Sequence, residues 1–172
     1  MASIAEAKAR IPYARPLAAD TFEKALAAGA VVLLISIAAA VLKGRAQWGG
    51  VPPLVWPHLL TITVAVGLTP VMLLRARGTR GHRQLGWVWV TAMFLTAVSS
   101  LFVRNANHGG FSFIHILSVW TLIQVPIIVW SARNHRVHAH RSSVRGMVTG
   151  ALLVAGFFTF PFNRMLGQWL FS

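Results

Sequence analysis

Five apolar stretches follow one another along the chain, at residues 25–42, 57–74, 85–103, 112–130 and 147–162. Each is near the ~20 residues that a bilayer core requires. A backbone in lipid must satisfy its hydrogen bonds internally, so separate spans of this length are expected to be helices. The expected fold is all-α: an integral membrane helical bundle of about five transmembrane helices. Composition agrees, because 56% of the 172 residues are hydrophobic and only 11% are charged, whereas a soluble domain is about a quarter charged. Residues 1–24 read as a polar cytoplasmic N-terminal arm, broken by Pro12 and Pro16, and residues 25–172 as a single transmembrane domain. The arm lacks the charged-then-apolar design of a signal peptide. Asp20, followed three residues later by Glu23, has the spacing of a capping pair ahead of the first span.

Charge restricts the chemistry. Sixteen Lys and Arg stand against three acids, Glu6, Asp20 and Glu23, and no carboxylate occurs from Lys24 to Ser172. Proton relays and cation-coupled transport usually rest on buried Asp or Glu, and hydrolysis needs a paired acid and base, so these activities are disfavoured. A pI near 12.0 does not point to nucleic acid, since the basic residues sit in short loops between apolar spans. Cysteine is absent, which excludes disulfides and thiolate metal sites. With alternating spans, 12 Lys and Arg fall on the N-terminal side and four (Lys43, Arg45, Arg104 and Arg164) on the other. The positive-inside rule then favours a cytoplasmic N-terminus and a C-terminus on the opposite side, which is periplasmic in a bacterial inner membrane. Trp48, Trp56, Trp87, Trp89, Trp130 and Trp169 lie near span ends, as an aromatic belt would have them, and Trp120 alone near a span centre. Gly146 and Gly150 form a small-x-x-x-small pattern suited to close helix packing. Membrane lipid is an expected partner, and nucleic acid is not.

The histidines carry a repeat. His58 and His82, 24 residues apart, open spans two and three; His115 and His140, 25 residues apart, open spans four and five. Spans two to five then form a four-helix core of two helical-hairpin repeats, with the first span an extra N-terminal helix. Topology places His58 and His115 at the outer ends of two parallel helices, and His82 and His140 at the inner ends of two others. Bundle cores build cofactor sites from facing helices, and imidazole is an axial haem ligand, so two bis-histidine haem b sites are expected. His138, two residues from His140, is an alternative inner ligand. Arg83, Arg104, Arg133 and Arg141 lie at matching depths for haem propionates or anionic lipid. The run from His135 to His140 holds three histidines but no Cys or carboxylate to complete a metal site.

The blocks Gly81-His82-Arg83-Gln84-Leu85-Gly86 and Gly110-Phe111-Ser112-Phe113-Ile114-His115-Ile116-Leu117-Ser118, with Thr96-Ala97-Val98-Ser99-Ser100 and Ala139-His140-Arg141, resemble a bacterial family of multi-helix inner-membrane proteins known as a domain of unknown function. The resemblance covers about residues 55–167 and implies a small inner-membrane protein carrying these His-Arg and Ser-x-x-His signatures. In architecture the four histidines are similar to those of the di-haem transmembrane cytochromes b of the ascorbate-reducible type. That similarity implies His58 and His115 as outer ligands and His82 and His140 as inner ones, with no substrate-site motif carried over. The function expected is electron transfer across or within the membrane, exchanging with quinone or a redox protein. The alternative is a non-catalytic accessory or scaffolding subunit of a larger respiratory or photosynthetic complex. Catalytic residues, electron donor and acceptor, and oligomeric state are left open.

Overall fold

The computed structural model describes residues 18–103, 113–161 and 163–172. Every regular element among them is helical. Helix α1 (Thr21–Lys43) runs into a 3₁₀ segment (Gly44–Gly50), followed by α2 (Val55–Leu74), α3 (Arg80–Phe102) and α4 (Phe113–Arg133). Helix α5 (Val137–Met147) continues through a π-helical segment (Val148–Val154) into the short α6 (Ala155–Phe157), and α7 (Met165–Phe171) ends the chain. Each helix packs on its sequence neighbour, and the π segment returns to α1, which closes the helices into a ring. Four helices, Thr21–Gly50, Val55–Leu74, Arg80–Phe102 and His115–Arg133, are long and apolar enough to cross a membrane. Large apolar side chains such as Val32, Ile35, Leu60, Ile116 and Ile123 point out of the bundle. Lipid is their natural solvent.

The fifth helix begins earlier than the apolar pattern indicates, at Val137 rather than 147. A tight turn with His135 in the left-handed region (φ 54°) delivers the chain into it. Hydropathy misses residues 137–147 because His138, His140, Arg141 and Arg145 look like a solvated loop. The charges of Arg141 and Arg145 are answered within the protein. Glu23, only 1% exposed, accepts from Arg141 Nε (2.7 Å) and Nη2 (2.8 Å), from Arg145 Nε (3.2 Å) and from Arg77 Nη2 (2.6 Å). Arg141 and Arg145 lie four residues apart, so both guanidinium groups reach the same carboxylates. Asp20 pairs with both of them as well.

The same two acids begin α1. The Glu23 amide donates to Asp20 Oδ1 (3.0 Å) and the Asp20 amide to Glu23 Oε2 (3.2 Å), a reciprocal capping box. The donation from the Glu23 amide holds the Asp20 carboxyl below its ordinary range. Its contribution to stability is therefore present above the usual carboxylate pKa and is lost as pH falls through the lowered folded-state value.

Two tryptophans expected in an interfacial belt are core residues. Trp89 is 3% exposed and donates its indole N–H to Thr69 Oγ1 (3.0 Å), a buried bond between α3 and α2. Trp169 is 2% exposed and lies against Gly44, where any side chain would overlap the indole ring. Trp48, Trp87 and Trp130 remain exposed near helix ends, as the belt requires.

Removing Glu23 leaves three arginines around a site closed to water. Glu23→Gln is expected to destabilise the protein by about 3–5 kcal/mol, measured by equilibrium unfolding in detergent micelles. Asp20→Asn, at an exposed cap, should lose clearly less. Equal losses, or an unchanged Glu23→Gln midpoint, would contradict a buried cluster.

Candidate functional site

Away from the Glu23 end, the ring of helices encloses a cavity of about 380 Å³. This volume falls within the ~300–1,000 Å³ usual for sites that bury a ligand. All the long helices contribute: Leu33 and Ile37 from α1, His58, Leu59 and Ile62 from α2, Met93, Thr96, Ala97 and Ser100 from α3, and His115, Ser118 and Thr121 from α4. Ala151 of the π segment and Ala155 and Gly156 of α6 close the fifth side. These residues come from the C-terminal halves of α1 and α3 and the N-terminal halves of α2 and α4, so successive helices are antiparallel. A π turn widens a helix and is frequent at functional sites. Here it lies where the fifth helix meets the cavity and the small residues behind it.

His58 and His115 therefore line one chamber from two parallel helices. The α2 helix begins at Val55, which puts Pro57 in its first turn, where a missing N–H costs little. His58 Nδ1 lies 3.2 Å from the Thr96 carbonyl oxygen and 3.1 Å from Ser99 Oγ. A carbonyl only accepts, so Nδ1 carries the proton and the neutral ring keeps its lone pair on Nε2. His115 is 6% exposed. A hydroxyl seam braces the walls: Thr96 Oγ1 donates to Thr61 Oγ1 (2.9 Å) and Ser118 Oγ to Ser100 Oγ (2.9 Å).

The second pair lies at the Glu23 end. His140 Nδ1 is 3.1 Å from the Ile128 carbonyl of α4, which fixes the same tautomer as in His58. His82 is half-buried in the first turn of α3, where Thr79 Oγ1 caps its amide at 3.1 Å. Its Nδ1 is buried without a hydrogen-bond partner among the described residues. His82 and His140 stand within electrostatic range of each other and of Arg77. His138 is exposed, so of the two alternatives at this level it is His140 that turns into the bundle. No group of three or more metal-ligating side chains occurs among the described residues.

The arginines do not share one role. Arg141 is engaged by Glu23 and Asp20. The Arg83 guanidinium donates to the Gly78 carbonyl (3.2 Å), and that of Arg133 lies 5.6 Å above the exposed Trp87 ring. Arg104 lies outside the described residues. Among the described residues, the arginine that lines the cavity is Arg164. Sequence reading counted it only as a topology charge, and the signal available was its position among the few basic residues of its side. Trp120, alone near a span centre, packs on the small stripe of the fifth helix: a Cβ at Gly146 would meet its ring at 3.8 Å and one at Gly150 at 3.3 Å.

A family model described as "Predicted membrane protein (DUF2306)" matches residues 56–166, which include all four histidines. No curated protein and no solved structure matches the chain.

The hydrogen bonds predict that ¹⁵N-histidine NMR of the ligand-free protein will show His58 and His140 as Nδ1-protonated tautomers. Nε2-protonated rings at both positions would contradict this geometry.

Proposed function

We propose that this chain, which belongs to the DUF2306 family of predicted membrane proteins, is a b-type haem protein that carries electrons across or within a bacterial inner membrane. The observation that carries the reading is the cavity shared by His58 and His115, with the His58 ring steered by a backbone carbonyl. Ligating histidines commonly donate their second ring N–H to a carbonyl or carboxylate, which fixes the ring and leaves the other nitrogen as the donor. His58 meets this pattern through Thr96, and His140 through Ile128.

The donor set fits the group. Two imidazoles line one chamber of apolar and small residues, and two more stand within electrostatic range of each other at the opposite end of the bundle. His58 and His115 would hold one haem, and His82 and His140 the other. A haem so held supplies reversible one-electron chemistry. The chain's own residues orient the imidazoles, exclude bulk water and set the two levels apart along the membrane normal. The bias of Lys and Arg toward one side supports an orientation with the Glu23 end cytoplasmic and the cavity end periplasmic. Quinone or a redox protein is the class of partner such a carrier serves.

Haem uptake by the purified protein tests the reading. Reconstitution should saturate at two haems per chain, with a b-type spectrum after reduction. His115→Ala should bind one haem fewer and keep the site at the Glu23 end, and His140→Ala should do the reverse. A folded protein that remains colourless with added haem refutes the proposal.

A further inference from the structure

Arg164 is a cation at the cavity, and no acid pairs with it among the described residues. The segment that carries it is fixed on both sides. Upstream, Thr159 Oγ1 donates to the Gly156 carbonyl (2.6 Å), and Asn163 adopts the left-handed backbone conformation (φ 60°). Gln168 Nε2 donates to Asn163 Oδ1 (2.9 Å). Downstream, α7 is pinned to α1 by the buried Trp169 against Gly44, by Leu166 in the core, and by Lys43 Nζ donating to the Leu170 carbonyl (2.7 Å). No side chain larger than glycine fits at position 167, where the backbone of Phe160 passes in contact. The C-terminal segment is thus folded against the mouth of the cavity, and Arg164, half-buried, lines it together with both histidines.

The charge balance around it is one-sided. The carboxylates among the described residues are Asp20 and Glu23, at the start of α1, while α7, which follows Arg164, packs near its end through Trp169 and Gly44. The 23 residues of α1 separate the two ends by roughly 35 Å at ~1.5 Å per residue. No acid occurs anywhere from Lys24 to Ser172. Arg164 is half-buried beside a largely apolar cavity; a guanidinium partly removed from water is stabilised by an anion, and its planar fork suits a carboxylate.

We infer that Arg164 receives a carboxylate of the ligand held between His58 and His115. The ligand is then an amphiphile with an apolar body in the chamber and an anionic edge at the C-terminal segment. On the haem reading, on which this inference rests, that edge is the propionate side. The four arginines expected from sequence to meet propionates do not include it.

The test compares haemin with its dimethyl ester, which lacks the two carboxylate charges, in the wild-type protein, Arg164→Gln and Arg164→Lys. The site scored is the one that His115→Ala abolishes. Arg164→Gln should weaken haemin binding about tenfold, with Arg164→Lys intermediate. The ester should bind the wild-type protein with a similar loss and should not distinguish it from Arg164→Gln, as a double-mutant cycle requires for a direct pair. Equal affinity of the wild-type cavity site for haemin and ester, or unchanged haemin affinity in folded Arg164→Gln, overturns the assignment while leaving the haem reading intact. Should Arg164→Gln fail to fold, the ester comparison in the wild-type protein decides alone. Failure of the wild-type protein to take up either compound overturns both.

Discussion

A single buried carboxylate, Glu23, ties together three parts of the chain that are far apart in sequence. It begins α1 through its capping box with Asp20, and it receives Arg77 from the connection between α2 and α3 and Arg141 and Arg145 from α5. In a bundle whose other contacts are mostly apolar, helix surfaces slide past one another at little cost, because lipid is as apolar as the neighbouring helix. A charge cluster around a carboxylate closed to water does not slide. It fixes the rotation of α5 and the depth at which its polar first turns enter the bundle. Those turns carry His140, the immediate neighbour of Arg141, so the placement of this histidine depends on the ion cluster.

The opposite end is built by different means. There a cavity lies between the helices, walled by apolar side chains such as Leu33, Ile37, Leu59 and Met93 and by small or hydroxyl residues such as Ala97, Ser100, Ser118, Ala151, Ala155 and Gly156. Between the two ends, Trp120 rests on Gly146 and Gly150 and fills the middle of the bundle. The result is two histidine levels separated by a packed layer. Under the proposed function this division sets two cofactors at different depths, one beside a cluster of arginines and one in a chamber whose charge comes from Arg164.

Much of this arrangement was legible in the sequence because it follows from periodicity and spacing. Apolar stretches marked five spans, of which the first four are helices long and apolar enough to cross a membrane, and the Asp20–Glu23 spacing marked the start of α1. Of the four repeated histidines, His58 and His115 line one cavity, and His82 and His140 stand within electrostatic range of each other. The small residues of the fifth span and the central Trp120 were each visible, though not their pairing. What escaped depended on contacts distant in sequence. Residues 137–147 read as a loop because nothing local shows that Arg141 and Arg145 find acids more than a hundred residues upstream. Trp89 and Trp169 read as interfacial because position along a span does not say which face turns inward. Arg164 read as a topology charge because the turn that brings it to the cavity depends on Trp169 docking against Gly44.

The central claim is that two histidines from parallel helices hold one ligand between them. Electron paramagnetic resonance of the oxidised, haem-loaded protein tests it most directly, since the spin state reports how many strong axial ligands the iron has. Bis-histidine coordination predicts a low-spin ferric signal, with His115→Ala removing the cavity-site component and leaving that of the Glu23 end. A predominantly high-spin signal in the wild-type protein, or a low-spin signal that His115→Ala leaves unchanged, would contradict the account.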